Sequence, residues 1–261
     1  MAKGRLQDRK VLVVGASSGI GLASGQALAA EGGRVAFAAR RVALLEEAVA
    51  AAGAGSVALA CDVCDPASCE QAVDQAAEAL GGLDALVYTP GVTLYNDIQD
   101  MDADAWRLTL DTNVIGASLV MSQALPHLEK VRGKAVFFSS ISIDDQPPRR
   151  GMAPYVVSKT ALETLVRAWQ GEHQSVGFTT IAMGDTLSGK VGESNNSRLP
   201  DYVQGWIEKG YMYGRLMEAE SVAAQVVNVL SSPETVRRLA ITPQYADADT
   251  VMESVFVSED A

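Results

Sequence analysis

Tyr155 and Lys159 stand four residues apart in Tyr155-Val156-Val157-Ser158-Lys159. On a helix this spacing puts both side chains on one face, one turn apart. A phenol ionises at about pH 10 and is a poor acid or base at neutral pH, but an ammonium beside it favours the phenolate. A phenol drawn toward the working pH can give a proton to a carbonyl oxygen or take one from an alcohol. A serine hydroxyl could hold that same oxygen, and two candidates, Ser140 and Ser142, follow an apolar run upstream. By itself such a pair is the ordinary product of an amphipathic helix with a solvated lysine, so the chemistry depends on what surrounds it.

A second constellation lies near the start. Val11-Leu12-Val13-Val14 runs into Gly15-Ala16-Ser17-Ser18-Gly19-Ile20-Gly21. An apolar β-branched run stopped by Gly and Ser reads as a buried strand entering a tight turn. Beyond it, Leu22, Ala27, Leu28 and Ala30 fit one apolar side of a helix ending at Gly32-Gly33. Strand, glycine turn and helix together aim backbone N–H groups and the positive helix end at a phosphate. The spacing G-x-x-x-G-x-G differs from the commoner G-x-G-x-x-G fingerprint, and a plain connection between strand and helix would use similar residues.

The elements that position these residues alternate along the chain. Apolar strands are expected at Arg34–Ala39, Ser56–Ala60, Leu83–Val87, Lys134–Ser140 and Phe178–Met183. Between them lie helices at Val42–Ala51, at Pro66–Leu80 with Asp65 as N-cap, at Ala103–Leu128 with a break near Asn113 and Gly116, and at Pro154–Gln170. Such alternation implies βαβ units, right-handed crossovers and a parallel sheet covered on both faces. No linker or repeat divides the 261 residues, so one α/β domain over 1–261 is expected.

Composition narrows the function. The net charge of −11 repels phosphate backbones, which speaks against nucleic acid as a partner. No run reaches the roughly 18 apolar residues of a membrane span, and no secretory leader is legible, so a soluble cytoplasmic protein is expected. Cys61, Cys64 and Cys69 cluster, but the histidines His127 and His173 are remote, so the cysteines read as structural and no metal is expected.

In order and spacing, Gly15–Gly21, Thr112-Asn113-Val114-Ile115-Gly116, the Ser139-Ser140 pair and Tyr155-Val156-Val157-Ser158-Lys159 resemble the short-chain dehydrogenase/reductase family, from about residue 8 to about residue 230. The resemblance implies a doubly wound Rossmann-type sheet of about seven parallel strands, binding NAD(P) at the strands' carboxyl ends. It implies that Tyr155 is the acid/base of hydride transfer between a nicotinamide and a secondary alcohol/ketone pair. Ser140 then orients the oxygen, Lys159 also holds the nicotinamide ribose, and Asn113 sustains a water relay behind the lysine. The family's usual serine-to-tyrosine separation favours Ser142 and the strand end favours Ser140. A loop lengthened at 143–150 would reconcile the latter.

Cofactor contacts follow from the same resemblance: Gly15, Ser17, Ser18, Gly19 and Ile20 at the pyrophosphate, Asp62 and Val63 at the adenine, Pro90 and Gly91 after the fourth strand, and Gly184 with Thr186 or Ser188 at the carboxamide. At the end of the second strand Ala39 stands where an NAD enzyme places a carboxylate, and Arg40-Arg41 follows, which suits a 2′-phosphate. NADP(H) is the expected cofactor, with NAD(H) as the alternative. The chain departs from the family at Tyr88-Thr89-Pro90-Gly91, normally Asn-Asn-Ala-Gly, which puts the side-chain hydrogen bonds of the first two positions in question. Met183 replaces the usual proline before Gly184, and the tail lacks the family's glycine-rich closing segment. The family position of 186–215 makes it a substrate lid, although it lacks a long clean period. Relatives assemble through the helices around Ala103–Leu128 and Pro154–Gln170, so a homo-oligomer is expected. The rival reading is a nucleotide-binding sensor or scaffold with the same fold and no turnover.

Overall fold

The run Val11–Val14 is apolar at every position because it is covered on both sides, as a strand inside a parallel sheet must be. Leu12 and Val14 point into one core and Val11 and Val13 into the other. This strand, β1 (Lys10–Val14), pairs with β2 (Arg34–Ala39) on one side and β4 (Ala85–Tyr88) on the other, both parallel. β3 (Val57–Ala60) extends the sheet beyond β2, and β5 (Lys134–Ser140), β6 (Gly177–Met183) and β7 (Arg238–Ile241) extend it beyond β4. The order β3-β2-β1-β4-β5-β6-β7 is that of a doubly wound α/β fold, and it reverses direction between β1 and β4. That reversal opens a crevice at the carboxyl ends of the strands. The computed structural model describes residues 4–53, 55–186, 197–212, 214–246 and 250. Ser188 and part of the expected lid lie outside the described residues.

Two helical layers cover the sheet. α1 (Gly19–Ala30), α2 (Ala43–Ala52) and α8 (Ala219–Ser231) bury the core of Val11, Val13 and Phe37. α3 (Pro66–Leu80), α5 (Gly116–Val131) and α6 (Ala153–Glu172) bury that of Leu12, Leu86 and Phe137. The start of α3 is fixed as its sequence dictates: Asp65 accepts from the Ala67 amide at 3.0 Å, Pro66 opens the helix, and Gly81 closes it at a left-handed φ of 74°.

Two expectations need correction, and a third, the break near Asn113, is met by a specific device. The inward side of α1 is Gly21, Ser24, Gly25 and Leu28, whereas Leu22 and Ala27 are half-buried and Ala30 is exposed. The reason is a close approach of helix to sheet, since a Cβ on Gly25 would stand 2.2 Å from Phe37 Cε1. The stretch Ala103–Leu128 is α4 (Ala103–Leu110), a π turn over Asp111–Ile115 and then α5, so the break expected near Asn113 is an extra residue in the helical ladder. Within 186–215 lies a helix, α7 (Leu199–Glu208), that buries Leu199, Tyr202, Val203 and Trp206. Those residues follow the i, i+3, i+4, i+7 pattern, a period short enough to be hidden by the polar sequence around it.

Candidate active site

The glycine turn between β1 and α1 is closely packed against the chain leaving β4. Gly15 sits at φ +84°, and a Cβ there would stand 2.4 Å from Thr89 Oγ1 and 3.0 Å from the Pro90 nitrogen. A Cβ on Gly21 would meet the Gly15 carbonyl oxygen at 2.3 Å. Ser18 makes no side-chain cap hydrogen bond and the first turn of α1 carries no acid, so the helix end keeps its N–H donors and positive field for another anion. Ile20 is buried beneath the turn. Arg41 Nη2 donates to Ser17 Oγ and Ser18 Oγ, both at 3.2 Å. Arg40 is exposed and makes no hydrogen bond or ion pair among the described residues.

Beyond the end of β3, Asp62 Oδ1 accepts from the Cys64 amide at 3.1 Å, and Ser68 Oγ accepts from the Asp62 amide at 2.9 Å. Val63 is buried, with its carbonyl accepting from Cys69 Sγ at 3.7 Å. Cys61 and Cys69 lie in the core, and among the described residues no group of three potential ligands could hold a metal ion.

At the end of β4 the side chains of Tyr88 and Thr89 both bond to backbone carbonyls. Tyr88 Oη donates to the Thr112 carbonyl at 2.6 Å, bracing the π turn, and Thr89 Oγ1 donates to the Val14 carbonyl at 2.7 Å. Asn113 is fully buried in the π turn. Its Oδ1 accepts from the Val92 amide at 2.8 Å, and its Nδ2 donates to Ser158 Oγ at 2.9 Å and to the Val92 carbonyl at 3.1 Å. The segment Pro90–Val92 is thereby pinned over α6. A Cβ on Gly91 would stand 3.4 Å from Lys159 Nζ and 3.8 Å from Asn113 Oδ1.

Tyr155 and Lys159 share the inward face of α6 at the end of β5. Lys159 Nζ lies 5.7 Å from the Tyr155 ring centroid and donates to the Phe138 carbonyl at 2.8 Å. Ser140 is the hydroxyl that acts on the Tyr155 phenol, drawing it down, and its oxygen lies 2.9 Å from that of Ser142. Both serines are buried. Ser140 is therefore the hydroxyl beside the phenol, and Ser142 stands behind it.

The electrostatics correct one expectation. Burial pushes the Tyr155 phenol above its ordinary value, Ser140 and Arg149 pull it down, and Asp185 adds to the rise. Lys159 is itself pulled down to about 8 by burial. Enclosure acts against both charged forms and outweighs the attraction anticipated between neighbours on a helix. The phenol is held protonated at neutral pH, the state of a proton donor.

The short chain dehydrogenase family model matches residues 9–198. The chain belongs to the short-chain dehydrogenase/reductase family. It is 32% identical over 244 residues to a glycine betaine reductase of Emericella nidulans, covering 90% of this chain but only 18% of that protein's length. It is 31% identical over 240 residues to human dehydrogenase/reductase SDR family member 2, mitochondrial, covering 89% of this chain and 83% of that one. A solved short chain dehydrogenase from Burkholderia cenocepacia in complex with NADP superposes with a TM-score of 0.79 at 29% identity, over 91% of this chain and 98% of that chain.

As a family member the chain is an oxidoreductase, and several residues around its site escaped sequence reasoning. Arg149 is buried in the loop between β5 and α6 and pairs with Asp145 at 2.6 Å and Asp185 at 2.7 Å. Tyr95 packs against Trp206 with ring centroids 6.2 Å apart, and burial pushes its phenol well up. None of these has a local motif; only the doubled Asp and Arg of 144–150 marked the loop as unusual. After β6, the Gly184 amide donates to the Ile241 carbonyl at 2.8 Å, and Thr186 Oγ1 donates to the Gly184 carbonyl at 2.9 Å. The Thr186 hydroxyl proton is thus engaged within its own turn.

Proposed function

We propose that this protein is an NADP(H)-dependent carbonyl reductase or alcohol dehydrogenase acting on a secondary alcohol/ketone pair. One observation carries the reading: Tyr155, Ser140, Lys159 and Asn113, from α6, β5 and the π turn, converge beside Gly91 at the mouth of the nucleotide crevice. A binding protein has no use for a buried phenol grouped with a buried serine and an amine.

The crevice fits a dinucleotide phosphate. The glycines at 15 and 21 leave no room for a Cβ, the α1 donors lack a cap, and Arg41 lies on Ser17 and Ser18. Gly15, Ser17, Ser18, Gly19 and Ile20 would hold the pyrophosphate, Arg41 and Arg40 the 2′-phosphate, Asp62 and Val63 the adenine, and Pro90, Gly91, Gly184 and Thr186 the nicotinamide half. The absence of a carboxylate at Ala39 and the NADP in the Burkholderia cenocepacia relative favour NADP(H) over NAD(H). When bound, the nicotinamide supplies or accepts hydride at the substrate carbon.

The chain's own groups manage the oxygen. Tyr155 Oη gives its proton to the ketone oxygen in reduction and reclaims it in oxidation. Ser140 Oγ orients the phenol and the reacting oxygen, with Ser142 fixing Ser140. Lys159 Nζ is the charge behind the phenol, and Asn113 holds Pro90–Val92 over it. α7 and the segment following it, with Tyr95, form an apolar and aromatic cover, which suits a moderately hydrophobic ketone. Leu108, Ile115 and Val157 leave apolar surface exposed along the α4–α6 face, which supports a homo-oligomer through these helices.

The test is NADPH oxidation against 2,3-butanedione, cyclohexanone and acetophenone, with Tyr155→Phe as control. Turnover that falls by about 10²–10⁴ in the variant while nucleotide binding persists supports the reading. Tight NADPH binding with no turnover of any ketone, unchanged by Tyr155→Phe, would favour a sensor instead.

A further inference from the structure

Arg149 takes no part in the proton transfer above, yet among the described residues it is the only buried arginine, with 3% of its surface exposed. Its Nε donates to Asp145 at 2.6 Å, Nη1 to Asp185 at 2.7 Å, and Nη2 to the Tyr211 carbonyl at 2.8 Å. The guanidinium also lies 5.7 Å from the Trp206 ring centroid. One side chain thereby joins three segments: the β5–α6 loop, the turn after β6, and α7 with the residues that follow it. The contacts are reciprocated, since Tyr211 Oη donates to the Pro147 carbonyl at 2.9 Å and Trp206 Nε1 to the Arg150 carbonyl at 3.0 Å. Asp185 is held at its backbone too, where its carbonyl accepts from the Met217 amide at 2.9 Å.

We propose that Arg149 is a positioning residue that clamps α7 over the Tyr155 pocket and holds the Asp185 carboxylate of the turn after β6 in a fixed, charge-compensated place. The geometry explains why an arginine is needed. Its fork meets two carboxylates and a carbonyl at once, in directions an ammonium cannot reproduce. It also explains the burial: a guanidinium shared by two carboxylates is enclosed without an unpaired charge, whereas removing it would strand both acids.

The inference rests on Tyr155 as the acid/base. Tyr155 is faced by Lys159 from its own helix, Ser140 from the end of β5, Arg149 from the β5–α6 loop, Asp185 from the turn after β6, and Tyr95 from the segment after β4, while α7 brings Tyr202 and Trp206 to the same cluster. Asp185 raises the phenol and Arg149 lowers it, so the two make opposite predictions.

The test compares Arg149→Met, Arg149→Lys, Asp185→Asn and the Arg149→Met/Asp185→Asn double variant as full chains. Hydrogen exchange is read over 145–151 and 199–211, and kcat, KM and the pH midpoint of alcohol oxidation are read with NADP and cyclohexanol, or the alcohol of whichever panel ketone is reduced best. Arg149→Met is expected to lose protection over α7, to raise KM more than tenfold and to move the pH midpoint up. Asp185→Asn moves the midpoint down, and the double variant returns it toward wild type. Arg149→Lys keeps the midpoint near wild type but not the protection. Wild-type protection and KM in Arg149→Met, or midpoints that move the same way in both single variants, would overturn the proposal. Should Arg149→Met not fold, Asp185→Asn decides, because an unchanged or rising midpoint contradicts the compensation. Full turnover by Tyr155→Phe would sink the acid/base reading instead, and the exchange over α7 would then judge the clamp alone.

Discussion

Lys159 Nζ lies 5.7 Å from the centre of the Tyr155 ring and donates to the carbonyl of Phe138, so the amine is committed to the end of β5 while the ring covers it. Enclosure of this kind costs the folded chain. Below pH 8 the lysine is charged in both the folded and unfolded states, and the folded state bears the whole penalty. Between pH 8 and its ordinary 10.5 the penalty fades, and above that both states are neutral. The depression corresponds to at most ~3 kcal/mol. Lys159→Met is therefore expected to melt at a higher temperature than the native chain at pH 7, with the gain shrinking toward pH 10, while turnover collapses. A variant that melts lower at pH 7, or whose gain grows with pH, contradicts this account of the buried amine.

The serines separate by what each touches. Ser140 acts on the phenol, whereas Ser142 bonds to Ser140 through both its amide and its hydroxyl. Ser140→Ala is expected to lower kcat by about 10²-fold or more, the scale on which removal of one donor at a developing oxyanion acts. Ser142→Ala should cost under tenfold, through a less fixed Ser140. Reversed magnitudes, measured as kcat with one ketone under saturating NADPH, would transfer the role to Ser142.

What the sequence disclosed divides along physical lines. Continuous apolar runs such as Val11–Val14 announce strands covered on both faces, and Gly15–Gly21 announces a turn, because both signals are local. The four-residue spacing of Tyr155 and Lys159 fixes their shared face before anything else is known. The sign of their pKa shifts was not legible, since it depends on how completely β5 and Gly91 enclose them. Arg149 was hidden for the same reason: its partners come from positions 145, 185 and 211, brought together only by the fold. Arg41 and Arg40 are adjacent in sequence, yet of the two it is Arg41 that reaches the serines of the glycine turn.

That difference is measurable. Arg41 already lies on Ser17 and Ser18, where a 2′-phosphate would add a charge-assisted bond. Arg41→Ala should weaken NADPH binding by about tenfold to a hundredfold, the worth of one hydrogen bond to a charged group, and NADH binding by less than twofold. Arg40→Ala should have a smaller effect on NADPH. Equal losses for both nucleotides in Arg41→Ala, read by titration of nucleotide fluorescence, would place the arginine at the pyrophosphate or nowhere near the cofactor.

The tyrosine that stands in place of the family's first asparagine after β4 offers a test away from the reacting atoms. Tyr88 is 1% exposed, and its hydroxyl reaches the Thr112 carbonyl at 2.6 Å, one residue before Asn113. A Cβ on Gly116 would stand 2.7 Å from that same hydroxyl, so the helix has been pared to admit it. Removing the hydroxyl leaves a buried carbonyl without this donor, a cost of about 1–3 kcal/mol. Tyr88→Phe should therefore lower the unfolding free energy, read from a denaturant titration, by that amount without altering the ring packing against Phe137. Because the braced turn presents Asn113, which pins Pro90–Val92 above Lys159, kcat should fall as well while NADPH affinity holds. Tyr88→Phe with native stability and native kcat would show that the π turn keeps its shape without the brace, and that Asn113 is positioned by Ser158 and Val92 alone.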